Sequence, residues 1–370
     1  MAVQERDHNR VRVKTRVINQ AALQSHGMTE YEPVESPDAT TVFSYHDLTP
    51  PDTADVYQAR QTVSQHLPHT PLVRSEFLSA ELNADVYLKR EDTLPTGAFK
   101  VRGGITLASR LDDSFHEQGL IAASTGNHGQ SVAYAGRAFD IPVTIVVPED
   151  ANESKVTAME RLEAEVLFSG TDFDDAREHA ESLAAENGYR YVHSANEPAL
   201  IAGVGTAGLE IVEELPDLDY LFCPVGGGSS AAGYCLTVGS LTDASVIGAQ
   251  SEAAPAMYRA WSEGHLEPHD RMETFAEGIA TRVPFALTID LLRAQLDDFR
   301  LVSESSLKQG IADLYLNETV PIEGACVASI AAMRQLSETI EGKTVVLPVS
   351  GRNIALDKLE SVVAEVRSVS

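Results

Sequence analysis

The residue best suited to do chemistry in this chain is Lys100, set in Pro95-Thr96-Gly97-Ala98-Phe99-Lys100-Val101-Arg102-Gly103-Gly104. A strand pattern over 86–89, a break at Pro95-Thr96-Gly97 and apolar periodicity over 99–111 predict strand, turn and helix, with Lys100 in the helix's first turn. The helix macrodipole disfavours a cation there and lowers the amine's pKa, which suits a lysine that forms a Schiff base. A solvated lysine at a helix start is the plainer alternative, and the company Lys100 keeps decides between them. Ser124-Thr125-Gly126-Asn127-His128-Gly129-Gln130 closes an apolar strand and opens a helix. Such a turn aims backbone N–H groups and small hydroxyls at one spot, as a carboxylate requires, although an ordinary N-cap would look the same. Gly226-Gly227-Gly228-Ser229-Ser230 is again strand to turn to helix. Three successive glycines let a backbone close around a phosphate, and close packing alone would also call for them. No Gly-Lys-Ser/Thr follows and the GxGxxG spacing is absent, so P-loop and dinucleotide readings fail. The fourth turn, Leu347-Pro348-Val349-Ser350-Gly351-Arg352-Asn353, puts the Ser350 hydroxyl at a strand end, where a plain connection is the alternative.

These turns need elements to carry them, and the chain alternates regularly. Strand patterns over 120–123, 143–147, 166–168, 191–193, 220–224 and 246–249 are separated by helical patterns over 129–139, 155–163, 172–187, 198–214 and 230–238. A strand-helix unit over 299–316, a helix over 323–336, a strand over 344–349 and a last helix over 357–366 follow. Such alternation predicts an α/β fold with parallel sheets covered by helices, whose ligands bind at the carboxyl ends of the strands. The length of 370 residues suits two or three domains. We expect a small domain over 121–193 and a large one made from 46–120 and 194–370. Residues 1–45 lack periodicity and are expected to be an extension, mobile or draped on the surface. With 55 acidic against 28 basic residues the net charge is -27, which argues against a nucleic-acid or anionic-membrane partner. Only 7 of the cations are lysines. That balance fits a surface kept soluble in concentrated salt, with an ordinary acidic protein as the alternative. Cys223, Cys235 and Cys326 have no metal-ligand spacing and suit a reducing compartment. No apolar run reaches the ~20 residues that span a bilayer, and no apolar segment follows the N-terminal basic residues. A cytoplasmic location is the expectation.

Four such turns in this order, over residues 69–355, resemble the fold-type II pyridoxal-phosphate enzymes, in particular the threonine/serine dehydratase (threonine ammonia-lyase) group. The resemblance implies a two-lobed fold and pyridoxal 5′-phosphate as cofactor. Lys100 matches the Schiff-base lysine and Phe99 the residue beside the cofactor ring. Asn127 matches the asparagine that bonds the ring's 3′ oxygen. Gly226, Gly227, Gly228, Ser229 and Ser230 match the phosphate cup, and Ser350 the hydroxyl at the pyridine nitrogen. Ser124, Thr125 and His128 belong to the turn that holds the substrate carboxylate. Glu323, in Pro321-Ile322-Glu323-Gly324-Ala325, aligns with an acidic residue near the ring. The implied reaction is β-elimination from a small hydroxy amino acid, L-threonine or L-serine, giving 2-oxobutanoate or pyruvate and ammonia. A hydroxyl at the pyridine nitrogen need not keep it protonated, so the ring is a weaker electron sink and favours loss of a β-leaving group. The family also implies a homo-oligomer.

The sequence departs from that pattern in informative places. Ser229 stands where a fourth glycine is usual. Thr125 stands where many dehydratases have alanine and serine racemases have a serine acting on the opposite face. An amino-acid racemase therefore stays open, as does a threonine-synthase-like β-replacement enzyme. A pyridoxal-phosphate-binding protein without turnover is the rival outside catalysis. Gln250 replaces an acidic ligand of metal-dependent relatives, so no metal is expected. Residues 276–280 are expected to line the side-chain pocket, and no C-terminal effector-binding domain is expected after the last helix.

Overall fold

The computed structural model describes residues 48–369, and the expected extension over 1–45 lies outside them. Ten strands occur among the described residues: β1 (Leu72–Arg74), β2 (Asp85–Lys89), β3 (Leu120–Ala123), β4 (Val143–Val147), β5 (Glu165–Phe168), β6 (Arg190–Tyr191), β7 (Tyr220–Pro224), β8 (Ser245–Ser251), β9 (Asp298–Val302) and β10 (Thr344–Pro348). They form a six-stranded sheet in the order β1-β2-β10-β7-β8-β9 and a four-stranded sheet in the order β5-β4-β3-β6. Every pairing is parallel except that of β1 with β2. β3 and β4 are buried along their whole length. Helices cover both faces of such strands, which is why Leu120-Ile121-Ala122-Ala123 and Val143-Thr144-Ile145-Val146-Val147 read as near-continuous apolar runs rather than alternating ones. The chain is a two-lobed α/β protein of the anticipated class.

Pro198–Glu214 is the longest helix described, opened by a proline at its first turn. It is buried from Leu200 to Ile211, so it is apolar around nearly its whole circumference. It packs against the helices Val101–Ala108, Thr53–His66 and Ser229–Tyr234. The topology also explains why distant segments meet. β2, β10 and β7 are neighbours in one sheet, and β3 and β6 in the other, so the turns at their carboxyl ends are neighbours too.

Two helices, Ala256–Glu263 and Ala286–Gln295, were not anticipated, and three elements around the site differ from the sequence reading. The helix expected over 99–111 spans only Val101–Ala108, with Lys100 as its N-cap. Ala98 bridges to Gly351, and Phe99 N–H donates to Ser350 O at 3.0 Å, which ties the residues before the lysine to the turn after β10. The helix expected from 323 begins at Ala328. Glu323 instead lies in a loop, its N–H donating to Gly351 O at 3.1 Å. The strand expected over 191–193 ends at Tyr191, because the His193 ring turns the chain by accepting from the N–H groups of Ala195 (3.0 Å) and Asn196 (2.9 Å).

Candidate active site

Two turns are zipped together at the ends of β2 and β10. Besides the Phe99–Ser350 bond, Arg352 N–H donates to Gly97 O at 3.0 Å and Asp92 N–H to Val349 O at 3.0 Å. Gly97 makes this possible, since its φ of +70° is a left-handed conformation that side chains resist. The zipper sets Ser350 beside the residue that precedes Lys100. From the helix that begins at Asn127, Ser131 Oγ donates to Lys100 O at 2.7 Å, fixing the lysine's backbone. Behind it, Arg102 is fully buried and its guanidinium meets two carboxylates: Nε and Nη2 reach Glu91 at 2.6 and 2.9 Å, Nη1 and Nη2 reach Glu210 at 2.7 and 2.9 Å. Lys89, also fully buried, donates to Glu210 at 2.8 Å and lies 3.5 Å from the more exposed Glu214, so two buried cations face two buried carboxylates with a third carboxylate at the edge. This anchor lies two residues from Lys100 and was not anticipated.

Lys100 is half-buried, with Nζ 3.3 Å from Ser194 O and 5.4 Å from the Phe99 ring centre. Desolvation pulls its pKa from 10.5 down to about 8, against the pull of the nearby Glu323 charge. Loss of hydration is the cause of the depression. Glu323 reaches the site from the loop before Ala328. Burial raises its pKa, while Asn127, donating from Nδ2 to its two oxygens at 2.9 and 3.0 Å, works the other way. The Asn127 Oδ1 accepts in turn from Asn353 Nδ2 at 2.6 Å. Lys100, Asn127 and Glu323 are thus brought together, and Asn353, three residues beyond Ser350, joins them without having been assigned a place from the sequence.

Around Asn127 the turn is built as a helix start. Gly126 is the N-cap of Asn127–Phe139, and its N–H donates to Ser124 Oγ at 3.2 Å. A Cβ on Gly126 would meet no atom within 4 Å, so the turn opens into free space. Thr125 is half-buried beside it. His128 is buried and its Nε2–H donates to Val192 O at 2.9 Å. Desolvation, with the Lys100 charge adding, lowers its pKa to about 3, so the ring is neutral and turned to the backbone.

The glycine turn has no room for side chains on its protein side. A Cβ on Gly226 would lie 2.2 Å from Gly278 O, and one on Gly227 would lie 2.8 Å from the Ala195 Cβ. Gly228 has φ +89°. Thr288 Oγ1 donates to Gly227 O at 2.7 Å and pins that carbonyl. Ser229 and Ser230 are buried at the start of the helix that follows. Ala195 follows Ser194, so one short loop touches both Lys100 Nζ and the glycine turn. Ser350 is buried against the Cys326 thiol, which burial pushes up to about 12. The 276–280 segment packs Gly278 O over Gly226 and Ala276 over Gly324, next to Glu323. Gln250 is buried with its Oε1 accepting from Tyr258 N–H at 3.0 Å, and no group of three or more metal-ligating acidic, histidine or cysteine side chains occurs among the described residues.

Residues 63–351 match the family model described as pyridoxal-phosphate dependent enzyme. The chain is similar to the L-threonine ammonia-lyase of Thermotoga maritima, 36% identical over 84% of this chain and 77% of the relative. It is likewise similar to the catabolic L-threonine dehydratase of Staphylococcus aureus, 34% identical over 84% of this chain and 91% of the relative. Among solved structures, the processed form of threonine deaminase isoform 2 from Solanum lycopersicum superposes with a TM-score of 0.81 at 30% identity, covering 85% of this chain and 94% of that one. The serine racemase of Dictyostelium discoideum follows with 0.77 at 27% identity, covering 83% and 99%.

Proposed function

The chain belongs to the pyridoxal-phosphate-dependent enzyme family, and from that premise we propose that it deaminates a small hydroxy amino acid, L-threonine or L-serine, to 2-oxobutanoate or pyruvate and ammonia. The observation that carries the reading is a desolvated lysine amine and a turn of three glycines that meet the same short loop, at Ser194 and Ala195. The residues fit the cofactor: Lys100 has a lowered pKa, Gly226 and Gly227 are only partly buried and are packed too closely on their protein side to carry side chains, and Gly126 opens into free space. Lys100 would hold the cofactor through Nζ with Phe99 alongside, Asn127 would donate to its 3′ oxygen, and Ser350 would meet its ring nitrogen. The amides of Gly226, Gly227 and Gly228, with Ser229 and Ser230, would take its phosphate. When bound, pyridoxal phosphate supplies the electron sink that acidifies the substrate's α-carbon and lets a β-hydroxyl depart.

The remaining work falls to the chain's own groups. Lys100 Nζ is the general base for the α-proton, and a pKa near 8 leaves enough neutral amine at physiological pH for that task. The hydroxyls of Ser124 and Thr125 and the first amides of Asn127–Phe139 bind the α-carboxylate, where the helix end favours an anion. His128, neutral and bonded to Val192 O, holds this turn to the strand beside it and contributes its backbone N–H. Glu323, its pKa raised by burial, accepts from Asn127 and holds that side chain in place.

A release assay for 2-oxo acid over a panel of amino acids tests the reading, with Lys100→Ala as the blank. Release of 2-oxobutanoate from L-threonine supports it, D-serine as the main product from L-serine supports a racemase, and no keto acid from any amino acid overturns it. The lobes are taken as 121–193 and as 46–120 with 194–370, a division supported by the separate sheet of β3 to β6. No helix among the described residues is long and apolar enough to cross a membrane, which is consistent with a cytoplasmic enzyme. Sedimentation of the purified protein tests the expected homo-oligomer.

A further inference from the structure

We propose that Asn353 is a positioning residue that fixes the orientation of the Asn127 side-chain amide, and so decides that Asn127 presents a donor and not an acceptor to the cofactor. The inference rests on the reading of Asn127 as the group facing the cofactor's 3′ oxygen. Asparagine oxygen and nitrogen are nearly the same size, so an amide's direction is set by its neighbours and not by shape. Asn353 Nδ2 lies 2.9 Å from Thr96 O and 2.6 Å from Asn127 Oδ1. Thr96 O can only accept, so Asn353 must turn its NH2 towards it, and that group's two hydrogens are used on the two oxygens.

With Oδ1 occupied in this way, Asn127 must send Nδ2 in the opposite direction. There it meets the Glu323 carboxylate at 2.9 and 3.0 Å. The series Thr96 carbonyl, Asn353, Asn127 and Glu323 therefore has one consistent assignment, settled at its start by a backbone carbonyl that cannot reverse. Asn353 is held in place by the zipper between the turns, through Arg352 N–H to Gly97 O at 3.0 Å. Gly97 leaves space for it: a Cβ there would lie 2.7 Å from Asn353 Oδ1. Thr96 and Gly97 lead directly to Lys100, and Asn127 opens a helix of the other lobe. Asn353 thus ties the lysine's turn and the asparagine's turn into one register.

The test uses apo-protein reconstituted with pyridoxal phosphate, reading the cofactor dissociation constant and the pH midpoint of the bound cofactor's absorbance change. The variants are Asn127→Ala, Asn353→Ala, Asn353→Asp and the Asn127→Ala/Asn353→Ala double, with a thermal melt of each. Asn353→Asp keeps the shape and loses the donor. Loss of an orienting partner typically weakens binding about tenfold or more, as seen at metal sites. Asn353→Ala and Asn353→Asp are expected to weaken cofactor binding by about that factor and to move the midpoint in the same direction as Asn127→Ala. In the Asn127→Ala background the second substitution is expected to add less than about twofold, because coupled residues are not additive. Two results overturn the inference alone: an Asn353→Asp variant that binds like the wild type, or effects that multiply in the double variant. An Asn127→Ala variant with unchanged affinity and midpoint overturns the reading of Asn127 itself, and the inference falls with it.

Discussion

Lys100 offers the sharpest quantitative test, because its desolvation can be read in the apo-protein without any turnover. With a pKa of about 8, roughly a quarter of the amine is neutral at pH 7.5, against about one part in a thousand at the ordinary value of 10.5. The apo-protein therefore carries about two hundred times more neutral amine at Lys100 than a solvated lysine would. Trace reductive methylation across a pH series, followed by mass spectrometry of the Lys100 peptide, should give a midpoint near 8. Glu323→Gln removes the charge that opposes the shift, so in that variant the midpoint should fall further. The stability consequence has a defined sign. The folded pKa lies below the unfolded one, so between pH 8 and 10.5 the unfolded chain binds more protons, and stability rises with pH across that window by roughly 3 kcal/mol at most. Lys100→Met should remove that rise. A labelling midpoint of 10 or above, or an upward shift in Glu323→Gln, would refute the desolvation argument.

Three other outcomes are expected. Arg102→Met leaves Glu91 buried with only the Thr70 hydroxyl, at 2.6 Å, and should cost about 3–5 kcal/mol in urea unfolding at pH 7, part of it recovered by adding Glu91→Gln; a loss under about 1 kcal/mol would rule out the cluster as an anchor. Burial works to raise the Glu210 pKa, but Arg102 and Lys89 outweigh it and hold it at about 2, so that contribution is present above 4.5 and lost as pH falls towards 2; the cost of Arg102→Met should shrink over the same range. Gly226→Ala must displace Gly278 O, 2.2 Å from the new Cβ, so it should weaken cofactor binding at least tenfold while costing about 1–3 kcal/mol of stability, both measurable on the apo-protein. With a net charge of -27, the chain should melt at a higher temperature in 2 M than in 0.1 M KCl, and a flat or falling series would show that self-repulsion does not limit it.

What could be read from the sequence follows from which interactions are local. The alternation of strand and helix was legible because parallel strands buried on both faces must be apolar along their length, as in Val143–Val147, and the helix Pro198–Glu214 announced itself by its proline start. The turns at 124–129, 226–230 and 350–353 were legible as turns because glycine and small hydroxyls cluster there. Elements shaped by a partner far along the chain were not. Lys100 caps its helix instead of lying within it because Ser350, 250 residues later, takes the Phe99 N–H, and Glu323 leaves its expected helix because Gly351 takes its N–H. His193 ends β6 through two backbone bonds that no periodicity records. The same reasoning explains why Asn353 and the Arg102 cluster were invisible. Each acts through groups from separate elements, so their function exists only once the segment after β2 meets Pro198–Glu214 for Arg102, and the turn after β10 and the Asn127 helix for Asn353. The chemistry-bearing residues declare themselves by type, whereas the residues that aim them are ordinary polar side chains whose meaning is entirely positional. In this chain an amine is made reactive by lost hydration, and the Asn127 amide is given its direction by the Thr96 carbonyl, acting through Asn353.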